Sequence, residues 1–567
     1  MRTYLSNICT LLVAGLAATG GCYNGSSGGQ TGDSAVTEAG GTPADTGQQP
    51  TGSDSGDTDQ PTGEPADGEP LVYSGLRRLT ADEYNLTVRD LLGLDAASQA
   101  LLPNDPLSPF DNDYRDQTAS QALIDGADLL AADLATEALV DPVARTTLVG
   151  CTPAGPDDAV CFDQFIAGFG RRALRRTLEP ADIERFAVFL DHSIEAGDFY
   201  VGVESALRAF LQHPEFLYRV EIGEPVADDP GVYRLGSREI AARLSYFLWG
   251  STPPDWLLDQ AEGAGLDTPE KIRAAAQELL ADPRARARIA RFHALWMGYN
   301  NLPHGAELAD AMKAETQALI DRVLFDKRGP WQDLLRSDQT FVSDLLAGHY
   351  GLPLPGGDGP SWVDYGDSGR RGLLSHGSFL SVGAKFTDTS PTQRGLLIRT
   401  RLFCQDIELP DDIDVDVDNP PGDPNACKPQ RYSEHASGAC ANCHSLMDPI
   451  GFGLENYDMA GRFREFEPDR PDCPISGEGE LLGVGKFSGP AELGELMLGV
   501  PDLNHCVLTQ LYRFAMGRYE LHEQDRLAVQ RLVQGVPVGG DLPFEATLLD
   551  FIDTPAFRHR REEPEDI

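Results

Sequence analysis

Basic residues are scarce in this 567-residue chain: Lys and Arg number 46 against 89 Asp and Glu, a formal net charge of −43 at pH 7. A surface of that sign repels phosphate backbones and excludes nucleic acid as a partner. Ten cysteines are too few to build the chain as a disulfide miniprotein, yet enough to need accounting. No segment reads as a membrane-spanning helix, and no internal repeat is visible. Neither H-E-x-x-H nor a Ser-His-Asp order is found, which argues against hydrolysis. Alternating apolar–polar runs closed by hairpin turns are rare, so little β structure is expected. What is present is a chain 41% hydrophobic and 24% charged. That composition can bury cores, and the length suits about three or four domains of about 150 residues.

The first 22 residues read MRTYLSNICTLLVAGLAATGGC. Arg2 supplies the basic start, and an apolar stretch of signal-peptide length follows, too short to span a bilayer. Thr19, Gly20 and Gly21 before Cys22 resemble a bacterial lipoprotein cleavage box, although that pattern prefers Leu where Thr19 stands. Lipidation of Cys22 is expected, with plain secretion as the alternative. Either places the mature chain outside the cytoplasm, at the outer membrane or cell surface or else in the periplasm, where disulfides persist. Residues 23–70 hold nine acids, no Lys or Arg, and mostly small or polar residues. They read as a disordered, self-repelling tether, so membrane contact is expected only through the N-terminal lipid.

The body reads as mainly α, a multi-domain helical assembly with a small c-type haem-binding segment. Thr80 and Glu83 form a capping box before Tyr84, Val88, Leu91 and Leu92, and Gly93 ends that run. Further helical runs are expected over residues 163–176, 180–193, 237–249, 269–299 and 310–325. Arg171, Arg172, Arg175 and Arg176 in the second run are expected to form an ion-paired face, with anion binding as the minority reading. Residues 408–424 carry seven carboxylates and no base. A solvated loop is expected there, since the EF-hand glycine and terminal Glu are missing. The expected divisions are helical domains at 71–145, 146–225 and 226–365, a haem-binding domain at 366–480, and a helical domain at 481–567.

Cys440-Ala441-Asn442-Cys443-His444 is C-x-x-C-H, the attachment pattern of c-type haem. Two thiols three residues apart on a helical turn can each add to one vinyl group of a single porphyrin. The adjacent His444 then offers its imidazole to the iron as proximal ligand. One covalent haem c is therefore expected, and the export signal supplies the compartment. A thioredoxin-type redox pair lacks its βαβ surroundings. Zinc held with His444 or His435 lacks a second C-x-x-C pair.

The site continues as CxxCHxxMDPxGFxLExxDxxGRxR. This is similar to the hallmark of a planctomycete and myxobacterial family of secreted proteins, built from consecutive domains of unknown function around a predicted cytochrome c-like site. LRRLTADEYNLTVRDLLG, FGRRALRRTL, REIAARLSYFLWG, RRGLLSHGSFLSVGA with TSPTQRG and RLFCQ, and CVLTQLYRFAMGR resemble its other parts in the same order. The resemblance covers residues 71–558 and implies a haem protein of the envelope, without naming a substrate.

Met447 lies three residues after His444, on the same side of the ring, and reads as packing. Met516, Met497, His435 and His505 remain open as distal ligands. Arg462 and Arg464 suit haem propionates, with pairing to Glu465 or Glu467 as the alternative. Asp448, Glu455 and Asp458 are expected to hold the loop, including the Nδ1 proton of His444. Cys151 and Cys161 are expected to bridge, and Cys404, Cys427, Cys473 and Cys506 to form two bridges of unassigned pairing. The leading function is electron transfer to an envelope redox partner with a cationic docking surface. A haem enzyme of peroxidase or oxygenase type with an open distal site is the alternative, and a non-haem binding or scaffold protein the third.

Overall fold

The computed structural model describes residues 75–562, apart from 118, 228, 385–387, 408–422, 424, 434–436, 520 and 538–539. The signal segment, Cys22, the 23–70 tether, most of the acidic 408–424 stretch and His435 lie outside the described residues.

Local chemistry sets the helix ends. Thr80 Oγ1 accepts the N–H of Glu83, and Glu83 accepts that of Thr80. The helix Ala81–Leu92 follows, burying Tyr84, Val88 and Leu91, and Gly93 ends it at φ 72°. The second expected run starts earlier, at Ala159, because Asp158 accepts the N–H of Cys161. It stops at Leu174, where Arg175 turns left-handed at φ 60°. The 269–299 run is two helices, Pro269–Ala281 and Pro283–Met297. Asp282 caps the second, and Pro283 cannot extend the first. Ala306–Ile320 widens into a π-helical turn at Asp321–Asp326.

Helices dominate the architecture, as expected. Among the described residues the eleven strands have two to five residues each and pair antiparallel in five small sheets. One apolar core gathers the helices Ala81–Leu92, Gln121–Glu137, Ala159–Leu174 and Phe199–Leu211. A larger core takes in Phe110 and then runs from Leu235 to Phe557, so residues beyond 481 share one interior with residues 235–403. Buried ion pairs join distant segments. Arg77 and Arg243 both reach Glu221, while Arg77 also donates to the Ala515 carbonyl and Arg243 to that of Phe557. Near the C-terminus, strand His559–Arg561 pairs with Val232–Arg234.

Three disulfides are formed among the described residues. Cys151–Cys161 is the expected bridge, and Cys404–Cys506 and Cys427–Cys473 select one of the three possible pairings of the other four. Such bridges mark a chain that folds where thiols oxidise, outside the cytoplasm. No helix among the described residues is long and apolar enough to cross a membrane.

A buried polar network crosses from the Ala306–Ile320 helix to residues 370–378. Glu315 accepts hydrogen bonds from Thr340 (2.5 Å) and Tyr350 (2.7 Å), and His376 Nδ1 meets Thr316 Oγ1 at 2.9 Å. Burial raises the Glu315 carboxyl to about 7, against the bonds from Thr340 and Tyr350. Burial, helped by Arg370, lowers His376 to about 3. Glu315 thus keeps a proton in the folded chain that the unfolded chain releases near 4.5. Its contribution to stability is full below that value and is lost as pH rises through about 7. Urea midpoints between pH 5 and 8.5 are expected to fall in the native chain relative to Glu315→Gln. The difference should be roughly 3 kcal/mol across the window; parallel curves would contradict the assignment.

Candidate functional site

The cysteine motif opens the helix Ala441–Phe452. Cys440 ends a tight turn at Gly438–Cys440, and Cys443 and His444 lie on the first helical turn. Cys440 is exposed and Cys443 half-buried, and neither belongs to a disulfide. His444 directs Nδ1 at Asp448, 3.0 and 3.1 Å from its two carboxylate oxygens, one helical turn on. Asp448 is itself held by the Thr392 hydroxyl at 2.7 Å. The expected carboxylate support of His444 is therefore present, and it holds the ring through Nδ1. Both thiols and this imidazole stand on one turn, so the residues present fit a covalently attached haem.

What fixes that helix is its neighbour, Pro391–Leu397. The two backbones approach so closely that a Cβ on Gly395 would lie 1.9 Å from the Met447 carbonyl oxygen. A Cβ on Gly451 would lie 1.8 Å from that of Pro391. Only glycine fits at either position. Arg399 donates to the Leu446 carbonyl (3.1 Å), and Arg394 to those of Leu454 and Tyr457 (2.8 and 2.7 Å). Met447 is buried, in keeping with a packing role.

Below the helix lies a buried charge cluster. Glu455 meets Lys428 at 2.7 Å, Arg464 at 3.2 Å and Arg394 at 3.5 Å, and accepts a hydrogen bond from Thr389. Asp388 pairs with Lys428 at 2.7 Å and Arg464 at 2.9 Å. Burial acts to raise Asp388, but the Lys428 ammonium and Arg464 guanidinium outweigh it and bring the carboxyl down to about 2. Arg464 is thus held by Glu455 and Asp388 rather than by Glu465 or Glu467, because the chain reverses after Tyr457. Glu467 turns instead to the N–H of Lys428 and to Arg431. Arg462 approaches His349 (3.3 Å) across a cleft lined by Tyr350, Arg370 and Phe463, and none of Cys440, Cys443 and His444 lines that cleft. Asp458 holds its loop by accepting the N–H groups of Ala460 and Arg462.

Met497 and Met516 are both buried in the larger core. Met516 ends the helix Pro501–Met516, where Gly517 abuts Asn112 and Arg77. His505 is exposed, with its imidazole beside Thr509. The supporting residues Thr392, Gly395, Asp388 and Lys428 were not singled out from the sequence. The signal for two of them is T-S-P-T-Q-R-G, whose glycine lies three residues after Thr392 on the facing helix.

Gly395→Ala and Gly451→Ala are each expected to destabilise the chain by about 2 kcal/mol or more, since a carbonyl, not a side chain, must yield. Gly168→Ala, in the exposed middle of Ala159–Leu174 with open space around its Cβ position, should stabilise by about 0.5–1 kcal/mol. Denaturant titration of the three variants measures both signs.

Four family models match the chain. PSD3, protein of unknown function DUF1587, matches residues 77–140, and PSD5, protein of unknown function DUF1595, residues 161–221. PSD4, protein of unknown function DUF1592, matches residues 235–352, and PSCyt3, protein of unknown function DUF1588, residues 370–467. No curated protein matches the chain, and no solved structure does. The four matched segments follow one another along residues 77–467 in the order PSD3, PSD5, PSD4 and PSCyt3, each the model of a family of unknown function.

Proposed function

We propose that this chain is an exported c-type haem protein that carries electrons at the cell envelope. The observation that carries the reading is the Cys440–His444 turn with His444 Nδ1 held by Asp448. The name of the matching PSCyt3 domain, which contains this turn, points to cytochrome-like domains. A bound haem would supply a one-electron couple at its iron. Cys440 and Cys443 would anchor it through thioethers, and His444 Nε2 would serve as proximal ligand. Asp448 accepts the Nδ1 proton, which fixes the ring and makes the imidazole a stronger donor. The close backbone contacts of Gly395 with Met447 and of Gly451 with Pro391, together with the Cys427–Cys473 bridge, hold the surrounding backbone, which limits rearrangement when charge changes at the site.

Met516, Met497, His435 or His505 would be the candidates for a second ligand to the iron of a bound haem. Export agrees with the three disulfides, and attachment through a lipid on Cys22 accounts for the apolar start and the acidic tether. The anionic surface suits a redox partner with a cationic docking patch.

The test is expression in the periplasm with the haem-ligation machinery present. A covalent c-type pyridine haemochrome is expected, and it should be lost in the Cys440→Ala, Cys443→Ala double variant. Native protein without that spectrum would refute the proposal. Asp448→Asn should move the midpoint potential positive while the haem stays attached; an unchanged potential would remove Asp448 from the site. Carbon monoxide binding by the reduced protein would replace the carrier role with that of a haem enzyme with an open iron site.

A further inference from the structure

The four arginines of residues 171–176 do not share one fate. Arg171 pairs with Asp259 and Glu262, and Arg176 with Asp182 and Glu215, as an ion-paired face requires. Arg172 donates to the Asp90 carbonyl, with Asp255 at 3.9 Å. Among the described residues Arg175 meets no carboxylate. Its guanidinium is held by the carbonyls of Glu215, Phe216 and Tyr218 and by the Tyr246 hydroxyl, so its charge is hydrogen-bonded but not neutralised.

Arg175 lines a cleft of about 560 Å³ together with Arg219 and Arg238. Arg219 is only 6% exposed. Among the described residues its guanidinium makes no hydrogen bond and no ion pair; it lies 5.3 Å from the Tyr246 ring, and its Nε is buried without a partner. Arg238 is exposed at the cleft rim with no ion pair among the described residues.

The carboxylates of the cleft are mostly committed elsewhere. Glu221 serves Arg77 and Arg243, and Glu215 serves Arg176. Glu239 accepts the N–H groups of Ile222, Gly223 and Gly236, leaving Glu224 at the exposed edge. The Arg219 charge acts on the buried Glu83 and Glu221 carboxylates, but Glu83 is ion-paired to Arg288 and Glu221 to Arg77 and Arg243, so cations outnumber carboxylates around it and a surplus buried cation is costly. Beside these cations the wall is apolar. Val220 and Ile222 are 41% and 65% exposed, next to Leu174, Ala242 and Ala261.

We propose that this cleft binds a small organic acid, with its oxyanion on Arg219 and Arg238 and its apolar body against Val220 and Ile222. The volume suits a ligand of that class. The planar guanidinium of Arg219 favours bidentate contact with a carboxylate or a phosphate monoester. Arg175, fixed by four protein oxygens, adds positive potential without moving. The overall negative field of the chain opposes anions at long range, so binding depends on these local groups.

Isothermal titration of the full chain with octanoate, octyl phosphate and octanol tests this. At least one of the two anions is expected to bind ten-fold or more tightly than octanol, and the stronger anion identifies carboxylate or phosphate as the preferred group. Arg219→Gln should weaken that anion at least ten-fold, and the exposed Arg238→Gln, which disturbs no packing, at least three-fold. Equal binding of octanol and both anions, no binding of either anion at millimolar concentration, or an unchanged affinity in Arg238→Gln would each overturn the proposal. These readings use no haem signal, so they stand or fall apart from the electron-transfer proposal.

Discussion

Two glycines control the site. Gly395 and Gly451 let the Pro391–Leu397 and Ala441–Phe452 helices touch backbone to backbone, closer than any pair of side chains would allow. That contact brings Thr392 within hydrogen-bond reach of Asp448, and Asp448 in turn fixes His444. Arg394 on the first helix binds carbonyls of the loop beyond the second, and Arg399 on the turn after the first helix binds a carbonyl of the second. The cysteine turn is therefore attached to a rigid pair of helices.

Charge is handled in two ways in this acidic chain. Around Glu455 and Asp388, three cations and two carboxylates gather, with Glu455, Lys428 and Arg394 buried and Asp388 and Arg464 half-buried, and each finds opposite charge within 4 Å. Around Glu221, two arginines from distant segments close on one carboxylate and join residues 77, 221 and 243. Both arrangements repay the loss of hydration with geometry. Arg219 acts on Glu83 and Glu221 from a distance with no ion pair to either, and that surplus of positive charge is what marks its cleft.

Much of the helical layout was legible in the sequence, because caps and stops act locally. The Thr80–Glu83 box, Gly93 and Asp282-Pro283 are decided within a few residues, and the apolar period then says which face is buried. The pairing of Arg464 was not legible. Glu465 and Glu467 are near in sequence, but the strand after Tyr457 carries them away and brings Glu455 and Asp388 in. The split among Arg171, Arg172, Arg175 and Arg176 was equally hidden, since Arg175 leaves the helix in a left-handed turn and changes its neighbours.

The sequence alone determined the mainly helical class, the acidic surface, the Cys151–Cys161 bridge and the grouping of Cys440, Cys443, His444 and Asp448. Each of these rests on composition or on spacing within about ten residues, where chain geometry leaves few choices. Tertiary structure alone decided which of the four remaining disulfide cysteines pair, which helix supports the cysteine turn, and which arginine is left facing a cleft. Those outcomes depend on segments up to about a hundred residues apart, and they are selected only when buried charge and close backbone contact are satisfied together.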